Sequence, residues 1–325
     1  MEDKALVVAK LIGEPINVQL PVPVELNAIA DIYTADPGEH VYRFENLDTL
    51  ADVVCDVDTN GVVTAIKRVP NSDVELTFKG LNSKQEYVLL KDVLESPDQN
   101  KLASRKASIA RAMDKVELKL ILDAMLTPSS DYYPANKIEN LSDTASVSGQ
   151  DIYDVIMAKK QVIEDYGDQY LLLAGKNVKN AIENFDKDNA SAFNYNLTLE
   201  ARLKEKGITV MKIFGKVSQD STTAEVEVDL LDADTFILIA QNSRISKGKP
   251  VAFVRRKISS QIATESGMSV DSQDRGLIVT PAPVNVPVSG TRQTVLGYGV
   301  IGFESVIFAI LNPYAISTCD CSAIL

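Results

Sequence analysis

The sequence predicts a mixed α+β protein, and three observations support that fold class. One long amphipathic helix is specified between residues 96 and 126, β-rich runs precede it, and helices alternate with short apolar strands after it. The chain has 325 residues, of which 45% are hydrophobic and 24% are charged. This length and balance are typical of a globular protein with two domains or one large domain.

The N-terminal segment, residues 1–39, shows no sustained hydrophobic period. Short apolar patches alternate with Pro15, Pro21, Pro23 and Pro37. We therefore expect an extended arm whose apolar side chains need a partner surface for burial. Its acidic start lacks the features of a signal peptide, and the apolar tract 300–316 is too short to span a bilayer. We expect a soluble protein that is intracellular during synthesis.

Residues 40–95 are β-rich. Thr59-Asn60-Gly61 lies between the β-prone runs 53–58 and 62–69, and Asn-Gly in that position is a strong hairpin signal. Further strands are predicted at 40–45, 74–78 and 87–90, with the polar turn KGLNSK between the last two. The segment has few large apolar residues, and an isolated hairpin is marginal in water. It therefore packs either on the rest of this chain or on another chain.

The long helix has a specified start and end. Ser96 is a predicted N-cap, Pro97 suits the first helical position, and Gln99 completes a capping box. Thr127-Pro128 ends the helix because a residue before proline avoids helical angles. At about 1.5 Å per residue the helix is roughly 40 Å long. One apolar stripe follows it, formed by Leu102, Ile109, Met113, Val116 and Leu120.

A polar loop at residues 128–147 separates this helix from an α/β region with a central sheet. Helices are predicted at 150–166, with Ser148 as cap, at 178–185 and at 199–206. Strands are predicted at 170–174, 208–213 and 235–240. Beyond them, residues 251–257, 277–280 and 297–311 are strand-like, and the proline-spaced segment 282–289 is extended.

Charge and cysteine content restrict the class of function. The net charge is −12, and no segment forms a strongly basic arm, which argues against a protein that reads nucleic acid. The charge is compatible with a protein that surrounds nucleic acid without adhering to it. Cys55, Cys319 and Cys321 are predicted free thiols of a reducing compartment, and Cys319 and Cys321 lack the further ligands of a zinc site.

The sequence contains no recognisable set of catalytic, cofactor or metal residues. His40 is the one histidine, and no nucleophile–histidine–acid triad can be assembled. Gly175-Lys176 follows a strand and precedes a helix but lacks the spacing of a phosphate loop. Residues 56–61 resemble the start of a calcium loop, but Lys67 stands where the bidentate glutamate is required, so a hairpin turn is the better interpretation.

The segment KGKPVAFVRRK, residues 247–257, concentrates five positive charges. In a strand, Arg255 and Arg256 point to opposite faces. Three interpretations stay open for these charges: a solvated face, a salt bridge to a neighbouring subunit, and a contact with nucleic acid.

The order of these elements resembles that of the major capsid protein of tailed bacteriophages. Three stretches carry the resemblance: SPDQNKLASRKASIARAMDKVELKLILDAML, DADTFILIAQNSRISKGKPVAFVRRKI and GYGVIGFESVIFAILNPYAIS. The N-terminal stretch is similar to the long spine helix of that family. The middle stretch is similar to an axial-domain strand followed by entry into a peripheral-domain strand. The C-terminal stretch is similar to the last long strand turning back through Asn312-Pro313.

The resemblance implies a domain organisation and a function. It implies an N-terminal arm (1–39), an extended β-loop (40–95), a peripheral domain with the spine helix (96–147), an axial domain (148–250), peripheral-domain strands with an elaboration (251–308), and a C-terminal axial segment (309–325). A structural, non-enzymatic protein of the virion capsid is then expected, present in the host cytoplasm during assembly. It would form pentamers and hexamers of an icosahedral shell around double-stranded DNA.

The implied partners are further copies of the chain, a separate scaffolding protein, a portal and, optionally, decoration proteins, without cofactor or membrane. The residues needed for the Lys–Asn crosslink of one branch of the family cannot be placed. Three alternatives stay open: a bacterial nanocompartment shell of the same fold, a non-capsid α/β binding protein or enzyme, and a tail or baseplate protein.

Overall fold

The computed structural model describes residues 24–44, 74–95, 101–126, 143–144, 152–188, 198–220, 225–241, 249–265, 267–270, 274–280, 283–287, 294–322 and 324. The helices are α1 Val24–Ile29, α2 Leu90–Glu95, α3 Lys101–Leu126, α4 Ile152–Ile163, α5 Lys176–Asp188, α6 Leu199–Glu205 and α7 Ser260–Glu265. Short 3₁₀ turns lie at Glu164–Tyr166 and Pro313–Ala315.

The strands before the α/β region are β1 Asp31–Ala35, β2 Val41–Phe44, β3 Val74–Thr77, β4 Lys79–Asn82, β5 Glu86–Leu89 and β6 Asp143–Thr144. Those of the α/β region are β7 Gln169–Ala174, β8 Ile208–Lys212, β9 Lys216–Asp220, β10 Glu225–Asp229 and β11 Thr235–Gln241. The remaining strands are β12 Val251–Arg256, β13 Ser269–Val270, β14 Gly276–Val279, β15 Val284–Pro287, β16 Thr294–Ile310 and β17 Ile316–Asp320.

An eight-stranded sheet is organised around β16, a strand of 17 residues. Four residues of β16 each pair with two strands: Val306 with β12 and β4, Phe303 with β14 and β4, Val300 with β14 and β5, and Gly297 with β15 and β5. Each residue of a strand can have one partner on either side. Strands β12, β14 and β15 therefore follow one edge of β16, and β4 and β5 follow the other.

The long helix α3 covers one face of this sheet and a two-stranded ribbon covers the opposite face. Side chains alternate between the faces of a strand. Phe253 and Phe308 accordingly pack in a core with Leu122 of α3. Ala252, Val254, Ile307 and Ala309 pack instead with Phe44 and Leu76 of the antiparallel ribbon formed by β2 and β3.

A five-stranded sheet in the order β6-β17-β11-β7-β8 forms the α/β region. Its inner strand β7 alternates between two cores: Leu171 and Leu173 join the core around α3, whereas Tyr170 and Leu172 join a core with helices α4, α5 and α6. The predicted central sheet with flanking helices is confirmed. The helix and strand bounds differ from the predicted ones by a few residues at most.

The prediction of an extended N-terminal arm was wrong for residues 24–29, which form a helix, whereas residues 31–35 are extended but pair within the same chain. Helix α1 buries Leu26 and Ile29 completely in the core around α3, and β1 pairs in parallel with β12. Of the two alternatives for the β-rich segment, residues 74–95 follow the first and pack on the rest of this chain, where Val88 and Val93 are buried. Elements of four to six residues do not show a hydrophobic period in the sequence, because their burial is set by tertiary contacts.

The prediction of a polar turn at KGLNSK was also wrong, because the first four residues of this segment form β4. Lys79–Asn82 pair with residues 303–306 of β16, and the backbone ladder does not depend on apolar side chains. The extended segment 282–289 contains β15. The hairpin at Asn60-Gly61 and the predicted caps Ser96 and Ser148 lie outside the described residues.

Gly302 sets the distance between the long helix and the long strand. A Cβ at this position would lie 2.7 Å from Met113 Sδ and 2.8 Å from Ile109 Cγ2, both on α3. We expect Gly302→Ala to lower the free energy of unfolding by about 1–3 kcal/mol, because the helix or its side chains must shift. Chemical denaturation followed by circular dichroism measures the change.

Gly80 on β4 provides the matched control for that substitution. It lies in the same sheet, and a Cβ there would have no described atom within 4 Å. Gly80→Ala is expected to change the free energy of unfolding by no more than about 0.5 kcal/mol. If both variants lose the same free energy of unfolding, the close approach of α3 to Gly302 does not contribute to stability.

Candidate functional site: a buried charge cluster beneath the long helix

Five ionisable side chains meet where α3 crosses the eight-stranded sheet. Asp114 and Glu117 lie on α3, Arg255 on β12 and Glu304 on β16, and Arg275 immediately precedes β14. The side chains of Arg275 and Glu117 are fully buried, and those of Glu304, Arg255 and Asp114 are 2%, 4% and 13% exposed. We call these five residues the charge cluster.

Arg255 and Glu117 form a two-pronged ion pair. Arg255 Nε donates to Glu117 Oε1 at 3.0 Å, and an Nη donates to Oε2 at 2.6 Å. The guanidinium also lies over the ring of Phe253, 4.9 Å from its centroid. The planar fork of arginine matches a carboxylate in this geometry, so both charges are compensated although they are removed from water.

Arg275 joins the helix to the long strand. Its Nε donates to Glu304 Oε2 at 2.6 Å, and its two Nη atoms donate to Ala110 O and to Asp114 Oδ1, both at 2.8 Å. The Nη–Glu117 Oε1 distance is 3.4 Å. One guanidinium thus contacts two carboxylates of α3, one of β16 and a main-chain carbonyl of α3.

Burial raises the pKa values of Glu304 and Asp114. Burial, followed by the charge of Glu117, raises the pKa of Glu304 to about 8, although Arg275 and Arg255 act in the opposite direction. Burial raises the pKa of Asp114, against the effect of Arg275. The pKa of Arg275 is raised further above its usual range because the three carboxylates outweigh burial, so this side chain stays charged.

The charge cluster is suited to holding elements together. Its donors are directed at carboxyl groups of the same chain. Within the described residues, no group of three or more histidine, cysteine, aspartate or glutamate side chains is placed to hold a metal ion. Ionic contacts between α3 and three segments of the sheet fix the position at which the helix docks.

The predicted opposite orientation of Arg255 and Arg256 is confirmed. All three open interpretations of this basic segment were wrong for Arg255, which is buried in its own chain, and they stay open for the half-buried Arg256. Arg255 pairs with Glu117 of its own chain. Arg256, on the ribbon face, donates to Glu39 O and Ser305 Oγ. Lys249 donates to the carbonyls of Asn27 and Ala30, which ties β12 to α1. Lys247 lies outside the described residues.

The other residues singled out in the sequence do not converge on a site. His40 is exposed just before β2, and Gly175-Lys176 is a tight connection from β7 to α5, where a Cβ on Gly175 would clash with Asp232 O. Cys319 and Cys321 are buried free thiols with their Sγ atoms 3.8 Å apart. Cys55, residues 56–61 and Lys67 lie outside the described residues.

Four members of the charge cluster could not be identified as site residues from the sequence. In the sequence, Glu304 is only a charge within an apolar tract, and Asp114 is only a residue off the apolar stripe of α3. Glu117 and Arg275 carry no local signal. A glutamate inside the apolar run of β16 is the one available hint, because a charge buried in a strand requires a partner.

None of the described helices combines the length and the apolar character that a membrane-spanning helix needs.

Comparison with known proteins finds similarity only at the level of structure. No family model matches the chain, and no curated protein matches it. The capsid protein of a native gene transfer agent (GTA) particle aligns with 94% of this chain and 93% of its own, at 12% identity and a TM-score of 0.52. A protein assigned as the capsid protein of a prophage of E. coli CFT073 aligns over 99% and 100%, at 12% identity and a TM-score of 0.50.

These alignments cover almost the whole of both chains, so they include both sheets and the long helix. At this level of identity, the likeness concerns the fold. The fold class predicted from the order of elements is confirmed, and the chain has the fold of phage and gene-transfer-agent capsid proteins.

Proposed function

We propose that this chain is a structural, non-enzymatic capsid protein that self-assembles into a closed shell. The observation that carries the proposal is the alignment of 94% of the chain with a gene-transfer-agent capsid protein, without a large unmatched segment on either side. An α/β enzyme or binding protein with an appended β domain would be expected to share only part of its length with a capsid subunit.

We further propose the finer features of that role. The shell is icosahedral and encloses the double-stranded DNA of a tailed phage, with pentamers and hexamers of this chain as its units. A scaffolding protein and a portal take part in assembly in the host cytoplasm, and decoration proteins are an option. The net charge of −12 supports enclosure without adhesion, since attachment to DNA requires neutralisation of phosphates by cationic groups.

The domain organisation is part of the proposal. The eight-stranded sheet with α3 corresponds to the peripheral domain, and the five-stranded sheet with α4, α5 and α6 corresponds to the axial domain. The two sheets share a core around α3, which contains Phe253 of one sheet and Ile237 of the other. This shared core supports a subunit in which the two domains move little against each other.

Electron microscopy and light scattering of the purified full-length protein test the function. We expect closed shells of uniform size, formed by the protein alone or with the products of neighbouring genes. Samples that contain only monomers or dimers, even with a scaffolding protein, would contradict a shell role. Nuclease-protected DNA inside the particles indicates a phage capsid, whereas enclosed enzymes indicate a nanocompartment shell.

A further inference from the structure

The charge cluster contains three carboxyl groups and two guanidinium groups. Arginine does not lose its proton in proteins, so the imbalance must be relieved at a carboxyl group. Glu304 Oε2 accepts the bond from Arg275, but its buried Oε1 has no hydrogen-bond partner among the described residues. Glu304 is therefore the carboxyl with an uncompensated oxygen.

The other two carboxyl groups are better accommodated. Both oxygens of Glu117 accept bonds from Arg255, and Oε1 also lies 3.4 Å from an Nη of Arg275. Asp114 is paired with Arg275 and keeps 13% of its side chain exposed, so water contributes to its solvation. A proton that neutralises the excess charge is accordingly best placed on Glu304, where a negative charge has the least compensation.

The charged groups around Glu304 come from every element packed against it. Helix α3 contributes Asp114 and Glu117, β12 contributes Arg255, and the residue before β14 contributes Arg275. Three further charged residues have contacts of their own. These are Lys106, buried about two turns earlier on α3, Asp274, next to Arg275, and Lys79 on β4, the strand whose Leu81 pairs with Glu304.

We propose that Glu304 is a proton-controlled latch between the long helix and the long strand. It carries a proton while α3 is docked on the sheet, and ionisation of Glu304 weakens the docking. The proposal goes beyond the shell function, since it concerns the folding of each subunit and is independent of assembly.

The direction of the pH effect follows from proton linkage. The pKa of Glu304 is raised from 4.5 to about 8 in the folded protein, so between these values the folded state holds a proton that the unfolded state releases. The contribution of this group to stability is fully present below about pH 4.5. It is lost as the pH rises through about 8.

Glu304→Gln removes this titration and keeps an acceptor for Arg275. Unfolding of the unassembled full chain in denaturant is measured from pH 5 to pH 9. We expect the ratio of the wild-type to the Glu304→Gln unfolding constant to rise by up to about tenfold per pH unit between pH 5 and pH 8 and then to level off. Parallel pH profiles for the two proteins would overturn the proposal.

Glu75→Gln serves as the control for that profile. Glu75 lies on β3, its side chain is 52% exposed, and it pairs with Arg43 on the surface of the ribbon. This substitution should leave the pH profile parallel to that of the wild type over the same interval. If it produces the same divergence as Glu304→Gln, the effect comes from net charge and the latch is excluded.

Infrared spectroscopy of the folded protein provides a readout that does not depend on the variant's ability to fold. Wild-type protein at pH 7 is expected to show the carbonyl band of a protonated carboxylic acid, which disappears on unfolding. The band should be absent from folded Glu304→Gln at the same pH. Absence of the band in the wild type, or its persistence in folded Glu304→Gln, would show that Glu304 does not carry the proton and would overturn the proposal.

Discussion

Arg275→Ala is expected to lower the free energy of unfolding by about 3–5 kcal/mol, the range measured when one partner of a buried ion pair is removed. The substitution leaves Glu304 without its only described hydrogen-bond partner and Asp114 without its ion pair. The carbonyl oxygen of Ala110 also loses the hydrogen bond that Arg275 donates to it. The decrease is measured by denaturant unfolding of the unassembled subunit near pH 8.

The same substitution should cost less at pH 5 than at pH 8. At the lower pH, Glu304 already carries a proton and Asp114 can take one up once Arg275 is absent, which removes part of the penalty for burying an unpaired charge. A cost that does not change with pH would indicate that lost packing of the arginine side chain, rather than unpaired charge, is responsible.

Arg43→Ala is the matched control, because Arg43 also forms an ion pair between two segments of the chain. Its pair with Glu75 spans 2.7 Å, but the two side chains are 71% and 52% exposed. Exposed pairs contribute about 0–1 kcal/mol. If Arg275→Ala and Arg43→Ala cost the same, the charge cluster does not hold α3 on the sheet.

Elements with a strong local signal could be predicted from the sequence. Helix α3 has an apolar stripe from Leu102 to Leu120, of which Leu102, Ile109 and Met113 are buried and the other two members are partly buried. Strand β11 is a run of apolar residues without polar alternation, and it lies inside the five-stranded sheet with five consecutive buried residues. In both cases the periodicity of one segment is enough to specify the element.

Elements that depend on a distant partner could not be predicted in this way. Strand β4 has a polar sequence and is a strand because β16, more than 200 residues later, offers a free edge. The charge cluster is a stronger example, since Glu117 and Glu304 lie 187 positions apart and meet through Arg275. The alternation of β12 correctly placed Arg255 and Arg256 on opposite faces, but it contained no information about their partners.

The largest effect on assembly is expected when residues 53–69 are replaced with a short Gly-Ser linker. We predict that this variant remains a soluble, helical subunit and fails to form shells. The proposed role of the β segment around Asn60-Gly61 as an inter-subunit loop is the reason, because a β-loop laid over a neighbour would supply much of the burial between subunits. Electron microscopy of wild type and variant, under identical assembly conditions, measures the effect.

The described part of this loop explains why the subunit should tolerate the replacement. Val41 pairs with Thr77 and Phe44 with Val74, so the two ends of the segment 45–73 already lie side by side. Phe44 and Leu76 anchor this ribbon in a core with Val254 and its neighbours on the sheet. Closing a shorter loop between ends that are held together changes the folding entropy only modestly.

The outcome separates three cases. A cooperative melt by circular dichroism together with absence of shells supports the inter-subunit loop. If the variant instead unfolds as a whole, residues 53–69 belong to the core of their own subunit, and the ribbon of β2 and β3 cannot hold its position without them. If normal shells form, the loop does not hold the lattice together. The contacts between subunits must then come from the domain built on α3 and β16, where Arg275→Ala would be expected to impair assembly as well as stability.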